Sequence, residues 1–178
     1  ALNVTSGGLF GDTLEVVSGT QMITREATTI AADGELVMQG GQFTSMHISG
    51  IVNAGVIRGD GTVVGLRNNQ SSGEVRVAGG EHLVLTNQGT PFVQNFVNEG
   101  RVEVIGTPES PAELEVEMGV VNQASTGLIA IRHAKARFNG GLDNEGSLLI
   151  SDGSSDIFGD INNTGTVSVT GGATATFY

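Results

Sequence analysis

The chain of 178 residues contains no cysteine, no tryptophan and only 3 prolines. The absence of cysteine excludes disulfide bonds, zinc sites with thiolate ligands and cysteine nucleophiles. No segment approaches the roughly 18 consecutive apolar residues that a membrane-spanning helix requires. We therefore expect no membrane insertion. The chain opens with Ala-Leu-Asn rather than with Met and a basic, apolar leader, which suggests a processed or excised piece.

Cationic residues are also scarce. The chain has 8 Lys and Arg residues against 19 Asp and Glu residues, a formal net charge of −11. Affinity for nucleic acid comes mostly from cationic side chains that release counterions from the phosphate backbone. Nucleic acid is therefore not an expected partner, and an anionic membrane surface is a poor one.

Glycine is abundant, at 28 residues, and it marks an internal repeat. Six segments have the form apolar-x-Asn, a short gap and then Gly, as in FVNEG at 96–100, LDNEG at 142–146 and INNTG at 161–165. The repeat-opening glycines follow one another at intervals of 18 to 27 residues. They are Gly34, Gly55, Gly73, Gly100, Gly127, Gly146 and Gly165.

A short alternating stretch follows nearly every repeat-opening glycine. Its second and fourth residues are apolar, as in Val102 with Val104 and Ile129 with Ile131, and only the repeat after Gly55 deviates. A period of two with one apolar face predicts a β-strand. Because a unit of about 19 residues cannot bury its apolar face alone, successive units must stack.

These features predict an all-β, single-stranded parallel β-helix, or β-solenoid, of about eight coils of 18–27 residues. The twist and crossover preferences of parallel strands favour a right-handed coil. We expect one domain over residues 1–178, with irregular first coils at 1–33 and regular Asn-x-Gly repeats at 34–178. The segments 86–95 and 107–113 hold all three prolines and are expected to be loops, where recognition usually occurs.

The recurring asparagine has a structural role at a corner, because its amide can bond to the equivalent amides above and below. We weigh this interpretation against a ligand-binding role and favour the structural one. The sequence predicts a structural ladder of Asn53, Asn98, Asn122, Asn144 and Asn163.

Segments such as GLDNEGSLLIS and GDINNTGTVSVTGGATATFY resemble the repeats of secreted bacterial parallel β-solenoid proteins. These include autotransporter passenger domains, filamentous-haemagglutinin-like adhesins and the ectodomains of PEP-CTERM-type exported proteins. The resemblance implies a bacterial protein that is secreted or displayed on the cell surface, with a structural or adhesive role as a scaffold or filament. It supplies no catalytic residues, and we expect no enzymatic activity.

The most basic stretch of the chain offers a different function. A possible ligand stripe is formed by Arg132, His133, Lys135 and Arg137. Cationic groups of this kind lie beside the substrate carboxylate in polysaccharide lyases, whose reaction needs a positioned base. A carbohydrate-binding or polysaccharide-lyase-like β-helix is therefore the alternative. An ice-binding module is a third alternative, although the flat array of threonines that it needs is not evident.

Counting back from the repeat asparagines gives this stretch a structural interpretation as well. Arg137 falls at the same repeat position as Glu115 and Asp156, and Lys135 at the same position as Glu113. Opposite charges on neighbouring strands stabilise a sheet modestly. The sequence thus predicts a cross-coil charge ladder of these five residues.

No cofactor is expected, although one weak calcium candidate exists. Asp152, Asp156 and Asp160 provide oxygen ligands on a glycine-containing segment, without the spacing of a known calcium loop. No other metal site is predicted. Expected partners are a glycan or a surface protein. Copies of the chain could also associate through the open ends of the solenoid, where strand edges would otherwise stay unpaired.

Overall fold

The computed structural model describes residues 3–4, 8–10, 13–90 and 94–178. The remaining residues of the predicted irregular first coils, and residues 91–93 of the predicted loop at 86–95, lie outside the described residues. Within the described part every regular element is a β-strand, and no helix could cross a membrane.

The strands fall into three columns, here called faces, because each coil of the chain passes through three straight segments. Face 1 holds β3 (Thr13–Val17), β10 (Glu74–Ala78), β13 (Arg101–Ile105), β16 (Leu128–Arg132), β19 (Ser147–Ser151) and β22 (Thr166–Thr170). Face 2 holds β1 (Asn3–Val4), β4 (Gln21–Thr24), β11 (His82–Thr86), β14 (Ala112–Val116), β17 (Ala134–Phe138), β20 (Ser154–Ile157) and β23 (Thr174–Phe177).

Two long strands, β6 (Glu35–Ser45) and β8 (Val56–Val64), run through both of these faces and join them into one sheet of 15 strands. Face 3 is a separate sheet of 8 strands. It holds β2 (Gly8–Phe10), β5 (Thr28–Ile30), β7 (Ile51–Asn53), β9 (Leu66–Asn69), β12 (Asn95–Asn98), β15 (Gly119–Asn122), β18 (Leu142–Asn144) and β21 (Ile161–Asn163).

All strand pairs are parallel and join equivalent segments of successive coils. Val102 pairs with Ile129 and Ile129 with Leu148, so the apolar positions of the repeat lie above one another. The predicted all-β parallel β-solenoid of about eight coils is therefore confirmed. Parallel strands joined in this way need a long return connection, which the other two faces of each coil supply.

The core is a stack of inward side chains from all three faces. Face 2 contributes one continuous row in which each residue pairs with the next. The row is Met22, Phe43, Val63, Leu85, Val116, Phe138 and Ile157, all of them buried. Close packing of such rows fills the interior of the solenoid with almost no polar group other than the asparagine amides and a few hydroxyls.

The repeat from Gly55 deviates because the backbone of β8 at Gly59 lies against the backbone of β6 in the preceding coil. Gly59 has φ +104°, and a Cβ there would overlap the carbonyl oxygen of Met38 in the preceding coil. Glycine is therefore required where other coils place an apolar residue. Its neighbour Ile57 keeps the ordinary inward position and is fully buried.

Candidate functional site

Six asparagine side chains form a continuous hydrogen-bonded column inside the corner between face 3 and face 1. Each Nδ2 donates to the Oδ1 of the next asparagine over 2.7–2.8 Å. The column, here called the asparagine ladder, consists of Asn53, Asn69, Asn98, Asn122, Asn144 and Asn163. All but Asn163 are buried, so the amide hydrogen bonds replace the water that these groups lose.

The ladder also fixes the corner that follows it. Asn98 Nδ2 donates a second hydrogen bond to the carbonyl oxygen of Leu128 over 3.2 Å, and Asn122 Nδ2 does the same to Ser147 over 3.2 Å. Each acceptor is the first residue of a face 1 strand in a later coil. One amide therefore joins its own coil to the side chain and to the backbone of its neighbours.

Asn69 was missing from the predicted ladder. Its segment contains two adjacent asparagines. Three residues separate Asn69 from Gly73, whereas one residue separates Asn98 from Gly100. A register shift in the pairing of β7 with β9 makes Asn69, and not Asn68, the partner of Asn53. The ladder begins at Asn53 because Ile30 occupies this position in the coil before it. Accordingly, Asn53 Oδ1 is buried without a hydrogen-bond partner among the described residues.

The glycine of the Asn-x-Gly motif is explained by the close stacking of the backbone. At Gly146 a Cβ would overlap the carbonyl oxygen of Gly127, and at Gly165 it would overlap that of Gly146. Neither residue has a positive φ. Any side chain at these corners would force successive coils apart, so the motif combines an amide that bonds to its neighbours with a residue that lets them approach.

The structure places the five residues of the predicted charge ladder on neighbouring strands of face 2. Glu115 pairs with Arg137, and Arg137 with Asp156; Glu113 pairs with Lys135. Within this set, and among the described residues, only Arg137 and Glu115 approach within the 4.0 Å of an ion pair, at 3.9 Å. Glu115 also accepts a hydrogen bond from Asn139 Nδ2 over 2.8 Å.

The basic stripe lies at the corner between face 1 and face 2 of one coil. Arg132 ends β16, His133 is the single corner residue, and Lys135 and Arg137 point outward from β17. A cleft of about 210 Å³ opens at this corner. We call it the corner cleft; it is lined by Thr107, Pro108, Pro111, His133, Ala134, Lys135, Asp152, Gly153 and Ser154.

The three aspartates of the calcium candidate do not share one corner. Asp152 precedes β20, Asp156 lies within it and Asp160 follows it at the next corner. Within the described ranges, no group of three or more Asp, Glu or His side chains is arranged to hold a metal ion.

Three arginine–glutamate pairs on the outer surface of face 1 were not anticipated from the sequence. They are Arg58 with Glu35, Arg76 with Glu74, and Arg101 with Glu103. The first joins two coils: Arg58 Nε donates to Glu35 Oε1 over 2.5 Å. This hydrogen bond lowers the pKa of Glu35 and raises the pKa of Arg58. In the other two pairs the sequence did carry a signal, which is opposite charge two residues apart on the outward side of one strand. Arg58 and Glu35 are diagonal neighbours, since the register pairs Arg58 with Val37.

Comparison with known proteins adds no family or relative. No protein-family model, no curated protein and no solved structure matches the chain.

Replacement of Asn122 tests the ladder. Asn122→Ala removes the acceptor of Asn98 and leaves Asn144 Oδ1 without its donor inside the core. We expect the free energy of unfolding to fall by about 1–3 kcal/mol. Equilibrium urea unfolding measures it. Asn162→Ala is the control. Asn162 precedes the ladder residue Asn163, but its own side chain is exposed, so the substitution should change stability by less than about 0.5 kcal/mol. Equal effects of the two substitutions would contradict a structural role for the ladder.

Titration of Glu35 tests the ion pair across two coils. Because Arg58 lowers its pKa in the folded protein, Glu35 should titrate below its ordinary range. The stabilisation is complete above the pKa of the unfolded chain, about 4.3, and is lost as the pH falls through the lower folded pKa. For this partly exposed pair we expect less than about 1 kcal/mol.

Carbon-13 NMR of the side-chain carboxyl groups follows this titration. Arg58→Gln should return the midpoint of Glu35 to the ordinary range, whereas Arg67→Gln, on face 3, should leave it unchanged. A midpoint that does not respond to Arg58→Gln would show that the ion pair does not set the pKa.

Proposed function

We propose that the chain is an extracellular structural or adhesive β-solenoid, a rigid scaffold that presents an interaction surface on a bacterial cell surface or filament. The observation that carries the proposal is the contrast between inward and outward positions. Inward rows repeat the same residue types from coil to coil. The outward row of face 2 instead reads His82, Glu113, Lys135, Ser154 and Thr174.

Rigidity follows from the number of constraints on each coil. A coil pairs with its neighbours on three faces, contributes to a continuous apolar core and, from Asn53 onwards, bonds through the asparagine ladder. A bend would have to break several of these contacts at one level. Outward side chains are free of these constraints and can vary with the ligand, as loops and outer faces of rigid scaffolds do.

Self-association through the ends of the solenoid stays a prediction. In the last coil, Val167 is 37% exposed and Phe177 is 50% exposed. Their equivalents one coil earlier, Leu148 and Ile157, are fully buried. A filament assembled from this chain would need to cover these side chains and the free edges of β22 and β23.

Surface exposure is the first test of the proposal. Antibodies against the folded chain should label intact cells of the source organism in immunogold electron microscopy. An antibody against a cytoplasmic protein serves as the control and should label only permeabilised cells. Labelling of the chain that requires permeabilisation would contradict an extracellular role.

Deletion of the coding sequence from these cells then distinguishes an adhesive role from a structural one. Loss of attachment to a surface supports adhesion, and loss of an ordered surface layer or filament supports a structural role. Cells that keep both properties would contradict the proposed function.

A further inference from the structure

The corner cleft exists because one coil carries an extended corner where the next has almost none. Between β13 and β14 the chain makes a loop at 106–111, whereas His133 alone separates β16 from β17 in the following coil. The loop therefore stands beside the short corner and forms one wall of the cleft. Ala134 and Gly153 belong to the next two coils and line the other side.

Hydrogen bonds within the loop, and one from the preceding coil, hold this wall in place. Thr107 N–H donates to the Ser110 carbonyl over 3.0 Å, and Ser110 N–H donates to Thr107 Oγ1 over 3.1 Å. The Pro111 carbonyl accepts from Gly80 N–H in the preceding coil over 3.1 Å. Two prolines add stiffness, so a ligand would meet a preformed wall and lose little entropy in ordering it.

Two residues that line the cleft adopt the left-handed backbone conformation. His133 has φ +46° and Asp152 has φ +52°, while Gly171 occupies the equivalent corner of the last coil with φ +63°. Glycine adopts this conformation without strain, whereas a side chain makes it unfavourable. The two corners next to the loop thus carry an imidazole and a carboxylate at positions where glycine would give the same backbone conformation with less strain.

Lys135 supplies an available positive charge. It is exposed, lines the cleft and forms no ion pair with any described residue, although Glu113 is its partner in the strand register. Glu115, the next carboxylate along that strand, lies nearer to Arg137. An ammonium group without a carboxylate partner can form a charge-assisted hydrogen bond with an anionic ligand.

We propose that the corner cleft binds one acidic sugar unit of a polysaccharide, with the sugar carboxylate at Lys135 and His133. Asp152, Ser154 and Thr107 offer acceptors and donors for sugar hydroxyls, and Pro108 and Pro111 offer an apolar surface for the ring C–H groups. A volume of about 210 Å³ suits a single ring rather than a long oligomer. This inference rests on the proposed function, since it identifies the ligand of an extracellular interaction surface.

A titration followed by ¹H–¹⁵N NMR tests the site with trigalacturonate as the probe. We expect a dissociation constant of about 1 mM, with shifts confined to amides of residues 107–111, 133–135 and 152–154. Fully methyl-esterified trigalacturonate keeps the ring and its hydroxyls but lacks the negative charge, and it should bind at least about tenfold more weakly. Equal binding of the two sugars, equal shifts with sodium acetate, or no binding of trigalacturonate would overturn the proposal.

Two variants assign the binding to named side chains. Lys135→Gln changes an exposed residue and should weaken trigalacturonate binding at least about tenfold, whereas Arg25→Gln removes a positive charge elsewhere and should have no effect. His133→Gly should weaken binding while the melting temperature stays equal or rises, because glycine relieves the left-handed corner. Unchanged binding in Lys135→Gln would contradict the assignment. None of these outcomes affects surface labelling of cells, which tests the scaffold separately.

Discussion

The close stacking of equivalent corners is the constraint on which the rest of the molecule depends. Coils can pair on all three faces only if their corners lie directly above one another, and at Gly146 and Gly165 there is no room for a Cβ. The same corner encloses a side-chain amide in the core, where it must find partners or be destabilising. Asparagine meets this demand because its amide both donates and accepts along the axis of the coil. The Asn-x-Gly motif is therefore a requirement of stacking rather than of one turn.

This arrangement separates the residues that build the scaffold from those available for recognition. Inward positions hold apolar residues, the amides of the ladder and a few hydroxyl groups, whereas outward positions differ from coil to coil. Extra length is accommodated at corners, as in the loop at 106–111, without disturbing the strands on either side. The corner cleft arises where such a loop meets a short corner, and it collects charged and apolar groups that no repeat position dictates. Rigidity therefore comes from the repeat, and the proposed binding site lies where the repeat is interrupted.

Periodicity in the sequence was sufficient to predict the parallel β-solenoid, because alternating apolar residues at regular intervals leave few other ways to bury a core. Periodicity could not predict the contacts that depend on a local irregularity of the repeat. Asn69 enters the ladder through a register shift at β9, which the two adjacent asparagines of its segment did not reveal. The repeat count placed Lys135 beside Glu113, but side-chain conformation decides whether such neighbours touch, and these two do not form an ion pair. The cleft likewise depends on how the loop at 106–111 is oriented, which no repeat position specifies.

Hydrogen–deuterium exchange of the asparagine side-chain amides, followed by NMR, tests the central claim most directly. Each ladder amide from Asn53 to Asn144 is buried and bonded to the next asparagine. These amide protons should therefore exchange far more slowly than those of the exposed Asn162. Slow exchange of the ladder amides together, with fast exchange at Asn162, is the predicted result. Fast exchange of the amides of Asn98 and Asn122, at the centre of the ladder, would show that the ladder does not hold the coils together.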